Sequence, residues 1–231
     1  MSGPGALRAA WIVAAKDLRL EWRTFDALSA MLLFSLIVLV VFNFAFDLTT
    51  VREVGAAHLV PGVIWTTFAF AGIIGFARSF QIEKLRDSLT ALVLAPVDRG
   101  ALFAGKAFAN LVMLVALQAV LLPLSAVFFD YDLVAVLLPL ALVVLLHTVG
   151  IAELGTLFAA VAVRVGRGEA LLATLLFPVS SPLLISAVKC TTAVLDGKGL
   201  GTVRHWMLVS AGFDVLYFLL AVLTFEFVLE D

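Results

Sequence analysis

Six long apolar stretches, parted by short charged segments, take up nearly the whole chain and constrain its fold more than any other feature. They run over residues 27–46, 59–76, 101–129, 133–163, 170–195 and 206–228. Each is near or above the roughly 20 residues that a helix needs to cross about 30 Å of hydrocarbon, where every backbone polar group must be paired internally. The expected fold is therefore all-α, a single six-span transmembrane permease-like domain over 1–231. Hydrophobic residues make up 63% of the chain and its mean hydropathy is +1.15. A soluble domain would hold about 45–50% apolar residues.

In a chain of 231 residues, six spans leave little room for a soluble catalytic domain, so no enzyme is expected. The net charge of −2 suggests no nucleic-acid partner. Cys190 has no second cysteine to pair with, and in an apolar run it reads as an inert small hydrophobe. No signal peptide is expected at the start, because charges extend from Arg8 to Asp26 and no small-residue cleavage site ends the apolar run that follows.

Basic residues set the orientation. With six spans both termini share a side with the segments near 77–100 and 164–169. That side carries Arg8, Lys16, Arg19, Arg23, Arg78, Lys84, Arg86, Arg99, Lys106, Arg164 and Arg167. The other carries Arg52, Lys198 and Arg204, with Lys189 inside a span near it. Positive residues favour the cytoplasm, so both termini are expected there, in a bacterial-type inner membrane.

Residues 1–26 form a separate element. Leu7, Trp11, Ala14, Leu18, Trp22 and Phe25 recur at helical spacing and draw one apolar stripe, while Arg8, Lys16, Asp17, Arg19, Glu21 and Arg23 take other positions. This pattern suits a helix lying in the inner-leaflet interface. A plain amphipathic lead-in to span 1 would look similar.

Between spans 2 and 3 the segment 77–100 begins with a charge cluster that includes Glu83, Lys84, Arg86 and Asp87, and Leu85, Leu89 and Leu92 follow at helical spacing. Pro96 stops that helix, and Asp98 is placed to cap the next, which carries Lys106 in its early turns. A short helix parallel to the membrane could dock its charged flank in a soluble partner and keep its leucines on the bundle. An ordinary solvated loop is the alternative.

Here the sequence resembles a family. The run from Gln81 to Asn110, with "SLTALVLAPVDRGALFAGKAFAN" and a lysine opening span 3, is similar to the coupling segment of type-2 ABC exporter permeases. Within that group the whole chain resembles the CcmB family of haem exporter membrane subunits, in its size, "KDLRLEWR", "GFARSFQIEK" and "LLFPVSSPLLI". Arg86-Asp87 stands where many type-2 permeases carry a glycine. The resemblance implies a permease subunit serving haem delivery for c-type cytochrome assembly, with Glu83, Lys84, Arg86, Asp87, Leu89 and Pro96 in the ATPase-coupling segment. It also implies a separate cytoplasmic ABC ATPase that uses ATP, a haem-handling membrane subunit, and a second copy of the chain. Haem is then a candidate substrate rather than a cofactor held by this chain. A permease for a glycan, lipid or drug is the second hypothesis, and a non-ABC membrane scaffold the third.

Several motifs carry less than they suggest. Gly100 to Ala107 nearly matches the phosphate-cradling pattern GxxxxGK[ST], but the magnesium-binding hydroxyl is missing and no strand precedes it. The stretch from Gly197 to Gly201 reads as a flexible outer turn. His58, His147 and His205 lack metal-ligand spacing, and Trp11, Trp22, Trp65 and Trp206 are too scattered for a tryptophan-rich haem-presenting segment.

The polar residues inside spans are His147, Glu153, Lys189 and Asp214. Each charge there costs about 2.5–3.5 kcal/mol on insertion scales, so partners are expected. His147 and Glu153 are six residues apart, about 240° around a helix, and do not share a face. Glu153 is expected to meet another helix, or to stay protonated because desolvation disfavours the carboxylate, in a structural role or lining a substrate path. Lys189 and Asp214, about 9 and 12 Å deep at about 1.5 Å per residue, are candidates for an ion pair. Otherwise Lys189 snorkels outward and Asp214 is protonated, or finds Glu153 or a hydroxyl. Pro178 and Pro182 interrupt span 5. The resemblance implies a helix break there and a re-entrant segment ending near Asp196, whereas the residues alone are equally served by a kink whose freed carbonyls Ser180 and Ser181 satisfy.

Overall fold

The computed structural model describes residues 5–46, 53–85, 98–165 and 168–230. These form seven α-helices and one 3-10 turn, with no strand among the described residues. The helices are α1 (Ala6–Thr24), α2 (Asp26–Ala45), α3 (Ala56–Leu85), α4 (Arg99–Phe129), α5 (Leu133–Val165), α6 (Gly168–Leu195) and α7 (Arg204–Glu230). Six of them, α2 to α7, hold apolar windows long enough to cross a membrane. The chain is an all-α, multi-pass membrane protein.

α3 is the centre of the bundle. Of its apolar window 72% is buried, against 22–39% for the other five spans, and it touches α2, α4, α5 and α6. Trp65, Phe68 and Phe76 are wholly enclosed along it. No glycine or proline stands between Phe76 and Leu85, and the apolar Ala77 and Phe80 are buried. The helix therefore runs on to Leu85, past the expected end of span 2 at 76, which places Glu83 and Lys84 in its last turn.

α1 and α2 meet at a corner. Phe25 takes a left-handed conformation (φ 49°), and its N–H donates to the Glu21 carbonyl at 2.7 Å. The Glu21 carboxylate then accepts from the Leu28 and Ala27 N–H groups at 2.8 and 3.4 Å, serving two of the orphan donors at the start of α2. Asp98 caps α4 as its position suggested, accepting from the Ala101 N–H at 2.9 Å.

The expected break in span 5 is not there. α6 is one continuous helix through both Pro178 and Pro182, so no re-entrant segment follows. Pro182 offers no N–H to the carbonyl four residues back, and the Ser181 hydroxyl donates to that Pro178 oxygen instead, at 2.8 Å. From α7, the Tyr217 hydroxyl donates to the Val179 carbonyl at 2.9 Å. The carbonyl freed by Pro182 is thus partnered, and a side chain of α7 ties the stretch between the two prolines to the bundle.

Candidate functional site

The site at the end of the bundle where α1 lies is built on the crossing of α1 over α4. Gly105 permits the crossing: a Cβ there would stand 2.5 Å from the Ala10 carbonyl oxygen and 2.9 Å from the Val13 Cβ. One residue on, Lys106 turns its ammonium inward, 4% exposed. It meets the Asp17 carboxylate at 3.1 Å and lies over the Phe80 ring, 4.5 Å from its centroid. A cation taken from water needs both a counter-charge and further contacts, and these two supply them. The Gly-Lys pair that imitates a phosphate loop in sequence is thus a helix-crossing device. The arrangement also corrects the reading of α1. Asp17 and Glu21, placed away from its apolar stripe, are turned to the bundle together with Ala9, Val13 and Ala14, while Leu7, Trp11 and Trp22 are left exposed.

This clamp joins α1 to the adjoining ends of α3 and α4, the two helices that flank the expected coupling segment. Asp26 pairs with Arg78 at the same level. Of the residues expected to couple to an ATPase, Glu83 and Lys84 fall on α3, whereas Arg86, Asp87, Leu89 and Pro96 lie outside the described residues.

Within the spans, His147 is fully buried and joins three helices. Its Nδ1 donates to the Val143 carbonyl at 2.7 Å, and its Nε2 shares a hydrogen-bond network with the hydroxyls of Ser186 on α6 and Ser210 on α7, both 3.0 Å away. The two hydroxyls are 2.7 Å apart, and Ser186 also reaches the Trp206 carbonyl at 3.1 Å. Trp65 of α3 packs on the imidazole at 5.6 Å and donates to the Thr191 hydroxyl at 2.9 Å. Nearer the clamp, Asn110 of α4 donates to Thr156 of α5 at 2.8 Å. None of these partners was singled out from the sequence. Single serines and threonines in an apolar helix are common, and only the bundle shows which of them converge.

Lys189 and Asp214 do not pair. Lys189 is exposed on the same face of α6 as Ile185, one turn away, whereas Ser186, Ala187 and Cys190 of the neighbouring face are buried. Asp214, 8% exposed, belongs to the buried stripe of α7 with Ser210, Tyr217 and Ala221 and faces α5. There it fills the space beside Gly150 that a Cβ would need, with Glu153 as its electrostatic neighbour. Depth matched for the expected pair, but helix rotation did not. Glu153 of α5 therefore stands near another helix, with the Asp214 carboxyl as its neighbour. Glu153 Oε2 and Asp214 Oδ1 have no hydrogen-bond partner among the described residues. Pro178 and Pro182, as described above, do not break the helix. No group of three or more metal-ligating side chains occurs among the described residues.

Comparison with known proteins places this architecture. Residues 8–230 match the family model described as CcmB protein. The chain is 28% identical over 184 residues to heme exporter protein B of Bradyrhizobium diazoefficiens, covering 79% of this chain and 80% of that protein. It is 30% identical over 192 residues to heme exporter protein B of Rhodobacter capsulatus, covering 79% and 82%. With the family's pattern running from the amphipathic first helix to the end of the sixth span, the chain belongs to the CcmB family.

Proposed function

We propose that this chain is the permease subunit of an ABC transporter that serves haem delivery for c-type cytochrome assembly in a bacterial inner membrane. The observation that carries the reading is the family match over 8–230, together with two relatives that are named heme exporter protein B and are matched over about four fifths of their length. A permease for a glycan, lipid or drug has no such support.

Energy would come from a separate cytoplasmic ATPase docked on the segment between α3 and α4, with a haem-handling membrane subunit and a second copy of the chain completing the complex. The excess of lysine and arginine on the side of the termini supports a cytoplasmic position for that segment. The α1–α4 clamp gives a push on the segment two routes into the bundle. One runs through α3 to the Trp65–Thr191 contact, the other through α4 to the Asn110–Thr156 contact. Haem is the cargo of the process, and no histidine of this chain is assigned to it.

The test is deletion and complementation in a bacterium that makes c-type cytochromes, with affinity purification of the tagged chain. The expected result is loss of covalently attached haem on deletion, restored by the chain, and recovery of an ABC ATPase with the tag. Normal c-type cytochromes in the deletion strain would overturn the haem reading. An ATPase recovered alongside that result would leave a permease for another substrate.

A further inference from the structure

A groove of about 500 Å³ opens where α1, α2 and α4 meet. Its floor is apolar, made by Leu18 and Trp22 of α1, Leu28 in the first turn of α2, and Val112, Met113 and Ala116 of α4. Arg19 and Arg23 line the same groove, one turn apart on α1 and therefore on one face. Both are exposed, and neither makes an ion pair among the described residues. Glu21, the nearest carboxylate on α1, does not neutralise them, because its oxygens are committed to the Ala27 and Leu28 N–H groups. The groove also lies at a defined height. α2 begins at Asp26, so its first turn is where a membrane span enters the hydrocarbon, and Trp22 stands 74% exposed at that boundary, as interfacial tryptophans do.

Two guanidiniums above an apolar trough call for an amphiphile with an anionic head. We propose that the groove is a binding site for one anionic phospholipid of the leaflet in which α1 lies. Its phosphate is held between Arg19 and Arg23, and an acyl chain is laid along Leu18, Trp22, Val112 and Met113. Basic pockets between helices on the cytoplasmic side recognise anionic headgroups in this way, and two adjacent guanidiniums can grip phosphate oxygens in pairs. A zwitterionic lipid fits poorly, since its ammonium would face the same two cations. A free phosphate leaves the trough unfilled. The occupant secures the hinge between α1 and α2, so the clamp at Lys106 is supported from the membrane side.

The probe is Trp22 itself. The purified full chain is placed in phosphatidylcholine vesicles doped with either brominated phosphatidylglycerol or brominated phosphatidylcholine. Tryptophan quenching is then compared with that of Trp22→Phe, so that the difference reports the groove. The expected result is a preference of roughly fivefold or more for the anionic lipid, the scale one arginine near an anionic surface supplies. Arg19→Gln with Arg23→Gln should abolish the preference while quenching by brominated phosphatidylcholine persists, which shows the variant is inserted. Arg19→Lys with Arg23→Lys should retain part of it. Equal quenching by the two lipids overturns the proposal. So does quenching of Trp22 by added haem that depends on the two arginines and displaces the lipid, which would make the groove a porphyrin site. Absence of quenching by either lipid, with crosslinking of Trp22→Cys to a second copy, overturns it in favour of a protein interface.

Discussion

The ammonium of Lys106 and the carboxylate of Asp17 stand 3.1 Å apart between two helices that are 89 residues apart at this point in the chain, and both side chains are largely shielded, at 5% and 13% exposure. Removing one partner of a shielded pair costs more than the pair contributes, because the other charge loses compensation; Asp17 keeps Lys16 at 3.1 Å and Lys106 keeps the Phe80 ring, so the loss is partial. Lys106→Met or Asp17→Leu should each lower stability by about 3 kcal/mol, while the double change should recover most of that loss. Thermal unfolding of the detergent-solubilised chain reads both outcomes. A double variant as damaged as the two single variants combined would show that the pair has no coupling.

Gly155 gives a packing test of the bundle centre. A Cβ at this position would overlap the ring of Phe76, which is 1% exposed. Close approach through small residues is how membrane helices pack in the absence of a hydrophobic drive between them. Gly155→Ala should destabilise α3 against α5 by about 1–3 kcal/mol, the usual cost of overpacking. Phe76→Leu should relieve part of the damage, and thermal unfolding of the four chains measures the coupling.

The six spans were legible because burial in lipid demands long apolar runs whatever the bundle looks like. The cap at Asp98 was legible because capping is local. Rotation about a helix axis was not. Lys189 and Asp214 match in depth, yet α6 turns Lys189 outward and α7 turns Asp214 to Gly150. Continuity of α6 was also hidden, since contacts such as Tyr217 reaching Val179 come from 38 residues away. Nothing in the spacing of α1 indicates that Asp17 rather than an apolar neighbour would meet Lys106.

Helix rotation makes Lys189 and Asp214 energetically independent. Lys189→Met removes an exposed charge and should change stability by less than about 0.5 kcal/mol. Asp214→Asn keeps the shape beside Gly150 and removes a like-charged neighbour of Glu153, so it should be tolerated better than Asp214→Leu. Combining Lys189→Met with Asp214→Leu should give the sum of the single effects within about 0.5 kcal/mol. Rescue of Asp214→Leu by Lys189→Met would restore the ion pair.

The coupling segment makes a prediction that separates docking from insertion. Glu83→Arg with Arg86→Glu reverses both charges without changing the composition of the chain. The chain should still insert and purify, but the cytoplasmic ATPase should no longer be recovered with it, or should be recovered without transport-linked ATP hydrolysis. Full recovery and activity would remove these two residues from the interface.

His147 offers the last prediction. Haem iron held by protein usually takes a histidine nitrogen with room on its open side. Here Nδ1 is occupied by the Val143 carbonyl, Nε2 faces two hydroxyls, and Trp65 lies on the ring, so no approach to either nitrogen is left. The purified chain should therefore show no stoichiometric Soret band that depends on His147. His147→Ala should act on the fold instead. It removes the imidazole that ties Ser186 and Ser210 to α5 and opens space beside Trp65, at a cost of about 1–3 kcal/mol, although the two hydroxyls keep each other and the Trp206 carbonyl. His147→Gln, which can still accept a hydrogen bond, should recover part of that loss. The readouts are thermal unfolding and the Soret absorbance of the same preparation. A stoichiometric haem lost in both variants, with stability unchanged, would move His147 from the scaffold to the cargo path.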